Sequence, residues 1–315
     1  MSLFADRELA WMIGGILVFL SIASLIAGVL RGRARGEAAQ ATVANLVARI
    51  QAWWAMVIVF GVAIATGGYG SLVMFAIVSF LAMREFMTLL PTRRADHRAM
   101  VWTFFLFLPA QYYFVATGWY GMFALLIPVY AYLLLPSVQV LGGDTEDFLA
   151  RTSRLQWVLM ICVFCVSHAP ALQMLEIPGY EGQGAKLLLF LVVVTQISDV
   201  LQYTVGKLFG RRKAVPTVSP NKTVEGYIGG GGLAVLIGTA LWWATPFAPW
   251  QAALLSLVIV LAGIAGGLVM SAVKRDRQVK DFGALIPGHG GVLDRIDSLC
   301  FSAPLFFHLT RFFFT

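Results

Sequence analysis

An all-α integral membrane protein of about ten transmembrane helices is the architecture this sequence predicts, on three observations. The 315 residues are 59% hydrophobic and only 12% charged, about half the charged share of a soluble domain. Ten apolar runs follow one another along the chain, most of them close to the roughly 20 residues that cross a bilayer. The basic residues gather in alternate connections between those runs. A mean hydropathy of +0.80 agrees.

The runs lie at about 11–30, 52–69, 71–90, 100–117, 120–140, 155–175, 187–205, 227–245, 250–270 and 296–314. They are continuous, not alternating, which selects helices over barrel strands. The first is long and is followed by Arg31, Arg33 and Arg35, so it reads as a retained helix and not a cleaved leader. The second and third are separated by Gly67-Gly68-Tyr69-Gly70, the fourth and fifth by Gly118-Trp119-Tyr120-Gly121. Such short glycine turns predict tight helical hairpins. The sixth run holds Cys162, Cys165 and His168. In an apolar setting the cysteines read as small buried side chains, and His168 as a hydrogen-bonded packing residue. With Cys300 they set no disulfide framework. Gly229 to Gly232, opening the eighth run, predict close helix packing. Trp53, Trp54, Trp242, Trp243 and His308 lie near run ends and read as interfacial anchors.

Five alternate connections carry every Lys and Arg except Arg7, Arg84, Lys186 and Arg311. By the positive-inside rule those connections are cytoplasmic and both termini lie outside. The net charge of +7 is thus a feature of membrane topology, and no nucleic-acid partner is expected. The polar residues collect at one membrane face and not along a path through the bilayer, which disfavours transport.

Two polar constellations stand out on that face. The stretch from Ser271 to Asp297, between the last two apolar runs, is about half ionisable residues and glycine. Lys274, Arg275 and Lys280 suit phosphate oxygens. Asp281, Asp294 and Asp297 suit a divalent cation. Gly288, Gly290 and Gly291 around His289 let backbone N–H groups approach an anion. Asp294, Asp297 and Ser298 fall on one helical face. The second constellation begins at Asp199, a costly carboxylate inside the seventh run, with Gln202 and Tyr203 one turn on. It continues through Lys207, Arg211, Arg212 and Lys213 to Ser219-Pro220-Asn221-Lys222-Thr223-Val224-Glu225-Gly226, a set suited to a nucleoside triphosphate or a lipid phosphate.

The first constellation resembles, nearly position for position, the signature of the phosphatidate cytidylyltransferases, also called CDP-diacylglycerol synthases. Ser271, Lys274, Arg275, Lys280, Asp281, Pro287, Gly288, His289, Gly290, Gly291, Asp294, Arg295 and Asp297 carry it. The Ser219–Gly226 run is similar to a second block of that family. The two cover the last ~130 residues; before them Arg84-Glu85-Phe86 is a faint echo. The chain accordingly divides into helices at 1–180 and a catalytic region at 181–315 with a cytoplasm-facing polar cavity. The resemblance implies CTP and phosphatidate as substrates, membrane lipid as surroundings, Mg2+ alone or with a second cation, a homodimer, and the bacterial inner membrane. It implies catalytic roles for Lys274, Arg275, His289 and Asp294. Substrate contacts fall to Ser219, Asn221, Lys222, Lys280 and Arg295, and metal ligation to Asp294, Asp199, Asp281 and Asp297.

Two departures qualify it. The family has Asp-Thr-Gly-Ala-Tyr where this chain has Asp199-Val-Leu-Gln-Tyr203, and it has a metal-binding Asp where this chain has Gly267. An isoprenoid-lipid acceptor and a catalytically weak lipid-binding paralogue are the rival readings.

Overall fold

A computed structural model of the chain describes residues 6–286 and 288–315. Among them, ten helical segments coincide in order with the ten apolar runs. They are α1 Arg7–Arg33, α2 Glu37–Ala65, α3 Gly68–Thr88, α4 Arg94–Ala116, α5 Tyr120–Val140, α6 Phe148–Met174, α7 Gly184–Phe209, α8 Gly226–Ala240, α9 Pro249–Asp276 and α10 Leu293–Phe314. Eight are long and apolar enough to cross a membrane. The exceptions are α8, which is short, and α10, which carries Asp294, Arg295 and Asp297 in its first turns. The chain is an all-α integral membrane protein. It also holds a small antiparallel hairpin, β1 Lys213–Val215 and β2 Ser219–Thr223, pairing Lys213 with Thr223 and Val215 with Ser219.

Local signals set the helix ends. Asp6 caps α1 by accepting from Glu8 N and Leu9 N at 3.0 and 3.2 Å, while Arg31 and Arg33 face the negative end of the helix dipole. Gly67 and Gly118 take φ of +82° and +67° at the two tight turns, as those turns require. The second helix begins well before its apolar run: Glu37 to Gln51, with five alanines and two glutamines, is helical and mostly exposed, where the hydropathy alone gave a connection.

The core lies between α6, α7, α9 and α10, where Leu187, Leu188, Phe190, Ile259 and Phe306 are fully buried. By contrast α1 and α2 leave apolar side chains such as Phe19, Leu25 and Ile58 exposed, as lipid-facing helices do. Buried charges are paired. At one end Lys186 meets Asp6 at 2.8 Å and Glu8 at 2.5 Å, tying α1 to α7. At the other Arg151 meets Asp96 at 3.2 Å and Asp144 at 2.9 Å.

The glycines of α8 do pack closely. A Cβ on Gly230 would lie 2.4 Å from Gln202 N of α7, and one on Gly226 would lie 2.7 Å from Gln202 O, so these two set the crossing. Gly232 meets nothing within 4 Å. His168 sits in packing, with its Nδ1 2.7 Å from Phe164 O and its Nε2 3.2 Å from His308 Nε2. This partner makes His308 part of an interhelical pair as well as an end residue. The three cysteines are free, and Cys162 and Cys300 are buried.

Candidate active site

The site assembles at the end of the bundle where α9 stops, a loop runs from Arg277 to Val292, and α10 begins. Asp294, in the first turn of α10 and buried, organises that loop. Its Oδ2 accepts from Phe282 N at 2.8 Å and Gly291 N at 3.0 Å, and its Oδ1 accepts from Lys274 Nζ at 2.8 Å. Three donors on one buried carboxylate make it the loop's anchor; a metal at Oδ1 would have to displace Lys274. Breaking such a buried pair costs about 3–5 kcal/mol.

A second carboxylate closes the loop from across the bundle. Glu85, near the end of α3, accepts from Val292 N and Leu293 N, both at 2.9 Å. Those are N–H groups that open α10 and lack partners within the helix. Glu85 therefore caps α10 from a distant helix, with the favourable charge for that end. It packs so tightly that a Cβ on Gly283 would lie 2.7 Å from Oε1, and one on Gly291 would lie 2.3 Å from Oε2. Two glycines of the loop, Gly283 and the motif's Gly291, are thus explained by one acid on α3. Gly288 and Gly290 take φ of +72° and +83°. His289 is buried, donates its backbone N–H to Ile286 O at 3.0 Å, and stands edge-on to Trp53. Trp53 and Arg49 thus bring α2 against the loop, Arg49 beside Gly288. Pro287 lies outside the described residues. A cleft of about 320 Å³ opens between α3 and the loop, lined by Leu81, Arg84, Glu85, Phe282 and Leu285.

Behind the loop lies a pair of carboxylates with a different character. Asp199 on α7 and Asp297 on α10 interact with each other, and Lys222 and Arg295 act on both. Ser298 lies beside Asp199, and Lys274 acts on Asp297. Among the described residues neither acid makes a direct ion pair. The facing turns of α7 and α10 continue the polar strip: Gln196 Nε2 donates to Arg295 O at 3.2 Å, Gln202 Nε2 to Ser198 Oγ at 2.6 Å, and Thr195 pairs with Ser302 at 3.2 Å.

The hairpin brings the second constellation to the same place. Thr223 is buried and its Oγ1 accepts from Gly226 N at 3.1 Å, turning the chain into α8. Lys222 is drawn inward, its Nζ 5.7 Å from the Tyr227 ring. Arg275 Nε donates to Val218 O at 3.3 Å, pinning the hairpin turn to the end of α9. Glu225 accepts from Arg211 N at 3.0 Å and from Arg212 N and Nε at 3.1 Å. Those backbone donors, with the Arg212 guanidinium, hold its carboxyl down at about 2, from an ordinary 4.5. A depressed carboxyl stabilises the fold fully above its ordinary value and loses that contribution as pH falls toward the depressed one. The protection of Arg211 and Arg212 N–H against hydrogen exchange, taken relative to the intrinsic rate at each pH, should therefore hold down to about pH 4.5 and fall toward pH 2. In Glu225→Gln that protection should already be reduced at pH 7.

The expected residues therefore separate into groups. Asp199, Lys222, Lys274, Asp294, Arg295 and Asp297 converge with Ser298. Lys280, Asp281 and Asn221 are exposed, on the loop and the hairpin. Ser219 is half-buried on β2. Glu85 was only a faint echo in the sequence, because a cap supplied from α3 has no local spacing. Tyr227, whose buried hydroxyl has no hydrogen-bond partner among the described residues, carries no sequence signal beyond its neighbours. No group of three or more His, Cys, Asp or Glu side chains among the described residues is placed to hold a metal ion. Mg2+, however, commonly takes one or two protein carboxylates, with substrate phosphates and water completing its shell. Asp199 and Asp297 fit that partial set.

The sequence model of the cytidylyltransferase family matches residues 47–313. The uncharacterized protein YnbB of Escherichia coli (strain K12) is 43% identical over 268 residues, covering 84% of this chain and 87% of that protein. The phosphatidate cytidylyltransferase of Bacillus subtilis (strain 168) is 33% identical over 219 residues, 68% of this chain and 77% of its own. That of Mycobacterium leprae (strain TN) is 46% identical over 128 residues, covering 39% of this chain and 40% of its own.

Proposed function

The chain belongs to the cytidylyltransferase family and is a nucleotidyltransferase, and we propose that it joins CTP to phosphatidate, releasing pyrophosphate and forming CDP-diacylglycerol. The observation that carries the reading is the carboxylate pair Asp199–Asp297 set among Lys222, Lys274 and Arg295. Both substrates are polyanions, so the barrier is chiefly electrostatic, and fixed cations beside a carboxylate pair address it.

A phosphate oxygen of the lipid attacks the α-phosphorus of CTP. The new P–O bond forms as the bond to the β-phosphate oxygen breaks, and the electron pair leaves with pyrophosphate. The lipid phosphate is already an anion, so no protein nucleophile is needed. Asp199 and Asp297 would hold Mg2+, which when bound neutralises phosphate oxygens around the reacting phosphorus. Arg295 and Lys222 draw the phosphates toward the pair. Lys274 holds Asp294, and through it the loop that carries His289 and the motif glycines. Arg275 keeps the hairpin over the site, and Ser219 and Asn221 supply hydrogen bonds from β2. The cleft beside Glu85 supports lateral entry of the headgroup while the acyl chains stay in lipid. The basic connections support a site on the cytoplasmic face of a bacterial inner membrane.

The test is product formation by the purified chain in mixed micelles, with labelled CTP and Mg2+. Phosphatidate is compared with a polyprenyl phosphate, and CTP with GTP and dATP. The expected product is a lipid-linked cytidine nucleotide from phosphatidate. Product with the polyprenyl acceptor alone would move the assignment to the isoprenoid reading, and no product with any acceptor would refute it.

A further inference from the structure

Glycines line the side of α9 that faces α10, and two of them let α10 approach closely. A Cβ on Gly266 would fall 2.6 Å from Asp297 O, and one on Gly263 would fall 3.4 Å from Ser298 Cβ. Gly267 differs. A Cβ there would meet only two side-chain atoms, Lys222 Nζ at 2.9 Å and Ser298 Oγ at 3.6 Å. The missing side chain makes room for an ammonium group that arrives from another segment.

The rest of Lys222 is built toward that notch. Its neighbours Pro220 and Asn221 are exposed, whereas Lys222 is half-buried and approaches the Tyr227 ring, a contact that favours a cation. Its charge acts on both Asp199 and Asp297. Two carboxylates in a partly desolvated cavity repel one another and need a compensating charge nearby. The acids come from α7 and α10, and α9 passes beside them with no carboxylate at Gly267. An ammonium, compact and strongly hydrated, is a point charge suited to such a place.

We propose that Lys222 is a built-in cation of the Asp199–Asp297 pair, seated by the notch at Gly267. The proposal rests on the assignment of that pair as the centre of the site. Lys222 acts as a positioning residue: it offsets the repulsion between the acids and leaves them competent for one divalent cation. A fixed positive charge beside that cation also weakens its binding, which gives the proposal a signature independent of turnover.

The experiment is thermal unfolding of the full chain in detergent against MgCl2, without nucleotide. In Lys222→Met the Mg2+ concentration giving half the maximal stabilisation should fall about tenfold, since one nearby unit charge is removed. Gly267→Ala should move it the same way by a smaller factor. Its Cβ displaces only the flexible end of Lys222, so this variant keeps the test available if Lys222→Met does not fold. In the double variant the fall should be no larger than in Lys222→Met alone. An unchanged midpoint in both single variants, or a shift to higher Mg2+, overturns the proposal. Asp297→Asn separates the two claims. If Mg2+ stabilises that variant as it does the wild type, the pair is not the centre of the site. If the stabilisation is lost there while Lys222→Met and Gly267→Ala stay at the wild-type midpoint, the proposal alone fails.

Discussion

Gly291→Ala is expected to lower turnover roughly a hundredfold while the helical bundle still folds. The added methyl would sit 2.3 Å from Glu85 Oε2 and 2.7 Å from its Cδ. Glu85 cannot simply swing away, because its two oxygens hold Val292 N and Leu293 N at the start of α10. The loop must move instead, carrying Gly290 and the Asp294 contact with it. Displacements of about 1 Å in a catalytic frame cost on the order of 10²-fold. Turnover and unfolding temperature measured side by side distinguish this from general destabilisation. Adding Glu85→Ala removes the clash but leaves two N–H groups uncapped, so that double variant should recover part of the rate and not all of it. Full activity in Gly291→Ala would show that the loop's position has no bearing on the chemistry.

Asp294→Ala is expected to abolish turnover and to cost about 3–5 kcal/mol of stability, because it strands the Lys274 ammonium in a largely buried setting. It also leaves the N–H groups of Phe282 and Gly291 without their acceptor. Asp294→Asn keeps the volume but cannot accept from all three donors. Its stability loss should be smaller, and its turnover should fall about 10²–10³-fold, the scale for losing a preorganised electrostatic contact. Limited proteolysis in the loop, at Arg277 or Lys280, reads the loosening directly. Either variant working at the wild-type rate would contradict the role given to Asp294.

Much of this was legible in the residues. The ten apolar runs returned as helices because apolar length is decided locally, and the motif glycines returned at positive φ or in close contacts. The roles within the motif were less legible. Spacing grouped Asp281, Asp294 and Asp297 as equivalent carboxylates, and the fold separates them: Asp281 is exposed, Asp294 is saturated by loop donors, and Asp297 faces Asp199. Nothing in a linear pattern tells an acid that accepts backbone N–H groups from one that does not. Glu85 shows the same limit, since its partners lie 207 and 208 residues away. The early start of α2 was hidden for another reason: five of its first fifteen residues are alanines, which favour a helix without marking an apolar run. At Gly267 the sequence displayed a gap, and only the packing showed Lys222 beside it.

The measurement that bears most directly on the account is the rate at which Asp297→Asn converts labelled CTP and phosphatidate to lipid-linked nucleotide, relative to wild type, at saturating Mg2+. The wild type should form product, and Asp297→Asn should be slower by roughly 10³-fold with its unfolding temperature held, since the change removes charge without volume from the carboxylate pair. A rate within tenfold of wild type would mean that the chemistry does not take place at Asp199 and Asp297.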